Sequence, residues 1–205
     1  MEAIKPPQIH CGVARFVLSS AGESGDLHSI CPFRNGLLLS VVDGIGHGEE
    51  AAHAARAAVS SLQAASEEHV ILLVQRCHQE IRSTRGVVLS LASIDFARGM
   101  MTWLGIGNVQ GVLLRCFASS GPVQEMLLLR GGVVGAQLPP LQATVLPISR
   151  GDTLVFATDG VRPSFVDTLS ALESPQRAAD RIPREYRTGN DDALVLVVRL
   201  AGGVP

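Results

Sequence analysis

The chain has 205 residues, 46% of them hydrophobic, 18% charged, with a formal net charge of −2. That length and apolar content suit one well-buried core better than two, so a single domain over residues 1–205 is expected. The near-neutral balance, with no Lys/Arg cluster interleaved with aromatics, leaves no electrostatic footprint for nucleic acid.

In chain order, residues 12–19 read as a first strand, 27–31 as a second, and the apolar run 37–42 as a buried third. Residues 49–65 are alanine-rich, open on Glu49 and Glu50, and hold neither Gly nor Pro, which predicts a helix. A second helix is predicted over 67–85, because Val70, Leu73, Val74, Cys77 and Ile81 recur at three- and four-residue spacing. Strands separated by short turns follow at 87–96, 100–105, 109–117 and 125–130, with Ala97-Arg98-Gly99 as a tight hairpin loop. Further strands are read at 144–147 and 153–158, a broken helical region at 164–186, and a last aliphatic strand at 193–200. The expected class is α+β: two antiparallel sheets packed face to face, with the two central helices on one outer side and the late helical segment on the other, a four-layer α-β-β-α sandwich.

The four cysteines, Cys11, Cys31, Cys77 and Cys116, are scattered without a Cys-x-x-Cys pair, which fits free thiols in a reducing cytoplasm. Residues 1–10 lack the apolar core of a signal peptide and no apolar stretch reaches about 18 residues, so no membrane partner is expected and the location is read as cytoplasmic.

With so few charges, the positions of the acids matter. Asp43 ends the third strand and opens a turn with three glycines, Asp43-Gly44-Ile45-Gly46-His47-Gly48. A strand fixes such a carboxylate, and a residue without a side chain lets its own carbonyl approach a hard cation. Thr158-Asp159-Gly160 repeats that arrangement after the strand 153–158. Asp191 and Asp192 stand at the opening edge of the last strand, which lies beside Asp159 if the two strands run antiparallel. Asp26 sits in a turn near the first sheet. One Asp-Gly alone is ordinary turn chemistry; two after hydrophobic strands, with Asp-Asp before a third, are not so easily produced. Carboxylates gathered at one rim repel and protonate unless a cation balances them. With no organised Cys or His, oxygen ligation favours Mg²⁺ or Mn²⁺ over Zn²⁺, and a pair of such ions is machinery for phosphoester hydrolysis. His47 reads as a turn or helix-entry residue, Gly105-Ile106-Gly107-Asn108 as a strand-to-strand turn rather than a phosphate loop, Asp95 as solvated and Trp103 as core.

Asp26, Asp43-Gly44, Thr158-Asp159-Gly160 and Asp191-Asp192, in this order, resemble the metal-dependent serine/threonine protein phosphatases of type 2C. Asp-Gly-x-Gly-His-Gly at 43–48, Gly105-x-Gly107-Asn108, Gly131-Gly132-Val133-Val134-Gly135 and the segment 151–160 are similar to the bacterial sporulation-phosphatase branch, and the likeness covers nearly the whole chain. Its catalytic-domain size is most like the stand-alone phosphatases of the stressosome. The resemblance implies two divalent cations, Mn²⁺ or Mg²⁺. Asp43 would bridge both and the Gly44 carbonyl would bind one, Asp159 and Asp191 would hold the other, and Asp26 would act directly or through water. Asp192 would support rather than ligate. Catalysis by Asp43, Asp159 and Asp191 would then proceed by direct attack of a metal-bound hydroxide on phosphoserine or phosphothreonine. The implied partners are phosphorylated stressosome scaffold proteins with anti-sigma-factor antagonist-like domains, whose dephosphorylation resets stress signalling. Many eukaryotic members of that family carry an arginine shortly before the first acidic motif to grip phosphate; here Ala21, Gly22 and Glu23 occupy that region and Arg15 is the nearest candidate. Two other readings stand beside this one: a phosphatase of a phosphorylated anti-anti-sigma factor, and a non-catalytic docking module with the same fold.

Overall fold

The computed structural model describes residues 9–18, 22–116 and 123–201. The sequence readings that fall on residues 1–8, Ser19, Ala21 and Phe117 lie outside that set.

Period-two alternation accounts for the layers. Strand β3 (Gly36–Gly44) sends Leu37, Leu39 and Val41 to one side and Leu38 and Val42 to the other, and all five are at most 2% exposed. It lies inside a sheet of order β2-β3-β4-β5-β8, formed with β2 (Asp26–Phe33), β4 (Val87–Asp95), β5 (Met100–Ile106) and β8 (Leu129–Arg130), while β9 (Thr144–Pro147) also pairs with β5. The second sheet has the order β1-β11-β10-β6-β7, from β1 (Ile9–Phe16), β6 (Gln110–Leu114), β7 (Gln124–Met126), β10 (Thr153–Ala157) and β11 (Ala193–Leu200). In β11 the alternation repeats: Leu194, Leu196, Val198 and Leu200 meet Leu37, Leu39 and Trp103 between the sheets, and Val195 and Val197 face outward. Burying each such Leu or Val stabilises the fold by roughly 1.5–3 kcal/mol.

The outward faces are covered by helices. Helix α1 (Glu49–Ala64) lays Ala51, Ala54, Ala55 and Ala58 against β3, and helix α2 (Val70–Glu80) adds Val70, Leu73, Val74 and Cys77. Small side chains let α1 come so close that a Cβ on Gly44 would overlap the Ala51 carbonyl. On the opposite side, a 3-10 helix (Pro163–Thr168) and helix α3 (Pro175–Tyr186) place Phe165, Ala178, Ala179 and Ile182 over β10 and β11. The four layers are those expected. No helix among the described residues is long and apolar enough to cross a membrane.

Three expectations are corrected in detail. The second helix begins at Val70 rather than 67, because His69 is extended and its Nδ1 accepts from the Ile71 N–H at 3.4 Å as a cap, and the helix closes at Glu80 as Thr84 folds back on the Ile81 carbonyl. The stretch 125–130 is two strands, not one: β7 pairs with β6 in one sheet, Leu127 turns into the core between sheets, and β8 joins the other. The β5–β8 pairing is parallel, an exception to the otherwise antiparallel ladders.

Candidate active site

Both Asp-Gly turns open at the same rim of the sandwich. Strand β3 ends at Asp43-Gly44, and the Ile45 N–H is tied to the Gly86 carbonyl at 3.1 Å, so the glycine turn is stitched to the entry of β4. Strands β10 and β11 run antiparallel with Ala157 opposite Val195, so the end of one and the beginning of the other bring Asp159 beside Asp191 and Asp192. The approach is tight: a Cβ on Gly160 would overlap the Asp192 carbonyl, which only glycine avoids. Asp43, Gly44, Asp159, Asp191 and Asp192 all line one cleft of about 750 Å³, together with His47 and Asn108.

Asp26 stands one layer back. It is the first residue of β2, directly opposite Asp43 in the register, and only 3% exposed. Its Oδ2 accepts from the Thr158 hydroxyl at 2.7 Å, and the same hydroxyl accepts from the Leu194 N–H at 2.9 Å. One buried hydrogen-bond chain therefore joins β2 of the first sheet to β10 and β11 of the second beneath the cleft floor.

Burial dominates the electrostatics. It pushes Asp43 up to about 8, with the charges of Asp26, Asp159 and Asp191 adding to the rise. Burial likewise raises Asp26 to about 7 against the opposing Thr158 hydrogen bond, and raises Asp159, with Asp191 adding to it and Asn108 opposing. Carboxylates placed where water is scarce bind their protons more tightly unless positive charge is supplied, and Asp43 and Asp26 are the two most affected.

Among the described residues, no three acidic, His or Cys side chains are already drawn into a closed metal-ligand cluster. Each acid but one has instead found a local donor: Asp26 takes the Thr158 hydroxyl, Asp159 Oδ2 takes Asn108 Nδ2 at 2.8 Å, and Asp191 Oδ1 takes the Asp192 N–H at 2.8 Å. Asp192 Oδ1 accepts from the Leu18 N–H at 2.8 Å, consistent with a supporting role. The Asp43 carboxylate accepts no hydrogen bond from the described residues and faces the cleft, so the donor set fits a hard, oxygen-seeking cation.

Asn108 is a site residue that its sequence context does not mark. It follows β5 in the Gly-x-Gly-Asn turn, as read, but its amide orients Asp159, and only the distance across the cleft reveals that. His47 is exposed on the cleft wall. Arg15 is off the cleft, on β1, reaching the Ser24 carbonyl at 3.5 Å. Asp152, within the 151–160 motif, lies at the far end of β10, where its carboxylate takes Arg115 and the N–H groups of Cys116 and Ser149. Its part is structural. Asp95 accepts from the Arg98 N–H at 3.0 Å in the hairpin, and Trp103 is 2% exposed in the core.

A helix-flanked double sheet with acids from both sheets at one rim is the fold of the metal-dependent type 2C protein phosphatases, and the chain is a hydrolase of that class. It belongs to the Stage II sporulation protein E (SpoIIE) family, whose model matches residues 34–201. It is 24% identical over 163 residues to the phosphoserine phosphatase RsbX of Bacillus subtilis (strain 168), covering 79% of each chain. Its structure is similar to that of RsbX in complex with magnesium, with a TM-score of 0.82 at 21% identity over 97% of this chain and 100% of that one. A chain from structural work on the bacterial stressosome, as a modular system adapted to control secondary messenger signaling, matches with a TM-score of 0.83 at 25% identity, over 94% of this chain and 100% of that one.

Proposed function

We propose that residues 1–205 form one catalytic domain, a cytoplasmic serine/threonine phosphatase that removes phosphate from stressosome scaffold proteins carrying anti-sigma-factor antagonist-like domains. The observation that carries this reading is the convergence of Asp43, Gly44, Asp159 and Asp191, from three strand ends in two sheets, on one cleft. The similarity to RsbX and to a stressosome-derived chain supports the choice of substrate class.

Two divalent cations, Mg²⁺ or Mn²⁺, would be held by Asp43, the Gly44 carbonyl, Asp159 and Asp191, with Asp26 behind them. When bound, such ions neutralise the carboxylates, activate a water and balance charge on the leaving oxygen. The chain's own residues do the positioning. Asp43 presents to the cleft a carboxylate that no described residue ties down, as a metal-bridging ligand would require. Asn108 fixes the rotamer of Asp159, and Thr158 holds Asp26 at constant depth below the floor. The glycines at 46 and 48, both at positive φ, remove side chains from the cleft mouth and let a phosphoryl group approach the backbone.

The test is hydrolysis of a phosphorylated scaffold protein with Mn²⁺ or Mg²⁺, with EDTA, and with Asp43→Asn. Activity is expected only in wild-type protein with cation; activity that persists with both chelator and substitution refutes the reading. A phosphorylated anti-anti-sigma factor assayed in parallel, compared by kcat/KM, decides between the two substrates.

A further inference from the structure

The cleft presents a problem for its own substrate. Among the described residues that line it, five are acidic, namely Glu23, Asp43, Asp159, Asp191 and Asp192, and none is Lys or Arg. Cations held by these acids balance charge at the reacting centre, and a guanidinium at the mouth would add a bidentate hold on the phosphoryl oxygens that the cleft lining itself does not offer. Arg15 lines neither this cleft nor the groove beside it and is turned to the Ser24 carbonyl at 3.5 Å; Arg85 lines that neighbouring groove and touches the cleft wall.

Arg85 is placed to add that hold. Its Nη1 lies 2.8 Å from the point where a Cβ on Gly46 would stand, so the guanidinium rests against the glycine turn that forms the cleft wall. The backbone beneath it is pinned. The Gly86 carbonyl takes the Ile45 N–H at 3.1 Å, the Gly86 N–H donates to the Thr84 hydroxyl at 3.0 Å, and Val87 exchanges two hydrogen bonds with Val134. The head group, by contrast, is loosely held: it pairs with Glu50, and the side chains are 52% and 67% exposed. Exposed pairs of this kind are weak and are easily exchanged for a better anion. A phosphate offers the planar guanidinium two oxygens in its preferred geometry.

Arg56 is the other cation near the mouth, but it pairs with Glu23, itself a cleft-lining acid, and projects from α1 rather than lying on the glycine turn. Arg56, Arg85 and Glu50 also line a second, polar groove of about 450 Å³ between the first turns of α1 and residues 83–85.

We propose that Arg85 is the substrate-phosphate grip of this phosphatase, held in reserve by Glu50 and transferred to the phosphoryl oxygens when the phosphoprotein docks. The inference rests on the phosphatase reading above. It assigns the role to a residue at the entry of β4 rather than to one before the first acidic motif.

The test measures KM and kcat for a phosphoserine protein, and the inhibition constant of inorganic phosphate, with saturating Mg²⁺. Arg85→Gln is expected to raise both KM and the phosphate inhibition constant at least tenfold while kcat changes less than threefold. Arg85→Lys should recover part of the loss. Glu50→Gln, which leaves Arg85 in place and frees it, should lower both constants several-fold. Calorimetric titration of Mn²⁺ should give the same affinity in all three variants, which separates a grip on phosphate from a disturbance of the acids. If wild-type protein hydrolyses the substrate with cation and Arg85→Gln leaves KM and the phosphate constant unchanged, Arg85 is only a solvated ion-pair partner and the inference is overturned. If the wild type shows no cation-dependent hydrolysis, it is the underlying phosphatase reading that falls.

Discussion

Removing divalent cations should make this protein less stable as the solution becomes more alkaline. Asp43 and Asp26 face each other across β2 and β3, and burial carries them to about 8 and about 7 from an ordinary value of 3.8. A carboxyl whose pKa is higher in the folded state binds its proton more tightly there than in the unfolded chain. Its contribution is complete below pH 3.8 and is lost as pH rises through about 7 and about 8. Each unit of pKa corresponds to about 1.4 kcal/mol. Between pH 5 and pH 8 the two groups together should therefore cost on the order of 3–6 kcal/mol, their titrations being coupled. That is a large part of a total of about 5–15 kcal/mol. Urea unfolding in EDTA at several pH values, followed through Trp103, the single and buried tryptophan, reads this directly. The midpoint should fall steadily from pH 5 to pH 8, and Asp43→Asn should remove more than half of the slope. Saturating Mg²⁺ should reverse the fall, adding about 2.7 kcal/mol at a hundred times its dissociation constant. A midpoint that stays level or rises over this range in EDTA would refute the reasoning, since the acids would then be well solvated.

Thr158→Val keeps the shape of a side chain that is 1% exposed but deletes the hydroxyl serving both Asp26 and the Leu194 N–H, so stability should drop by about 2–4 kcal/mol in a denaturation experiment. Asn108→Ala leaves Asp159 free to rotate, and Mn²⁺ affinity measured by calorimetry should weaken about 10–100-fold with little change in melting temperature.

How much of this was legible in the sequence depends on the range of the interaction. The strand-end acids could be read because a hydrophobic run followed by Asp-Gly is a local pattern, and the antiparallel neighbours β10 and β11 carry Asp159 to Asp191 by register. The face-to-face sheets followed from alternation within each strand. What could not be read is decided across the fold. Nothing near Leu127 states that the chain changes sheets there, because the reason is a vacancy in the core between Gly111 and Gly105 that its side chain fills. The Asp26–Asp43 register, the reach of Asn108 and the resting place of the Arg85 guanidinium depend on partners 17 to 51 residues away. The second helix is shorter than its apolar stripe, which continues to Ile81, a residue buried although it follows the helix end.

The acids at the rim come from segments separated by more than a hundred residues, with Asp26 bound to Thr158 across 132 positions. Closing so wide a loop belongs late in assembly, after local hairpins have formed, so the centre should be absent from the folding transition state. A cation that engages it then acts as a latch fitted to a finished door. It should leave the rate of refolding almost unchanged and lengthen the lifetime of the native molecule.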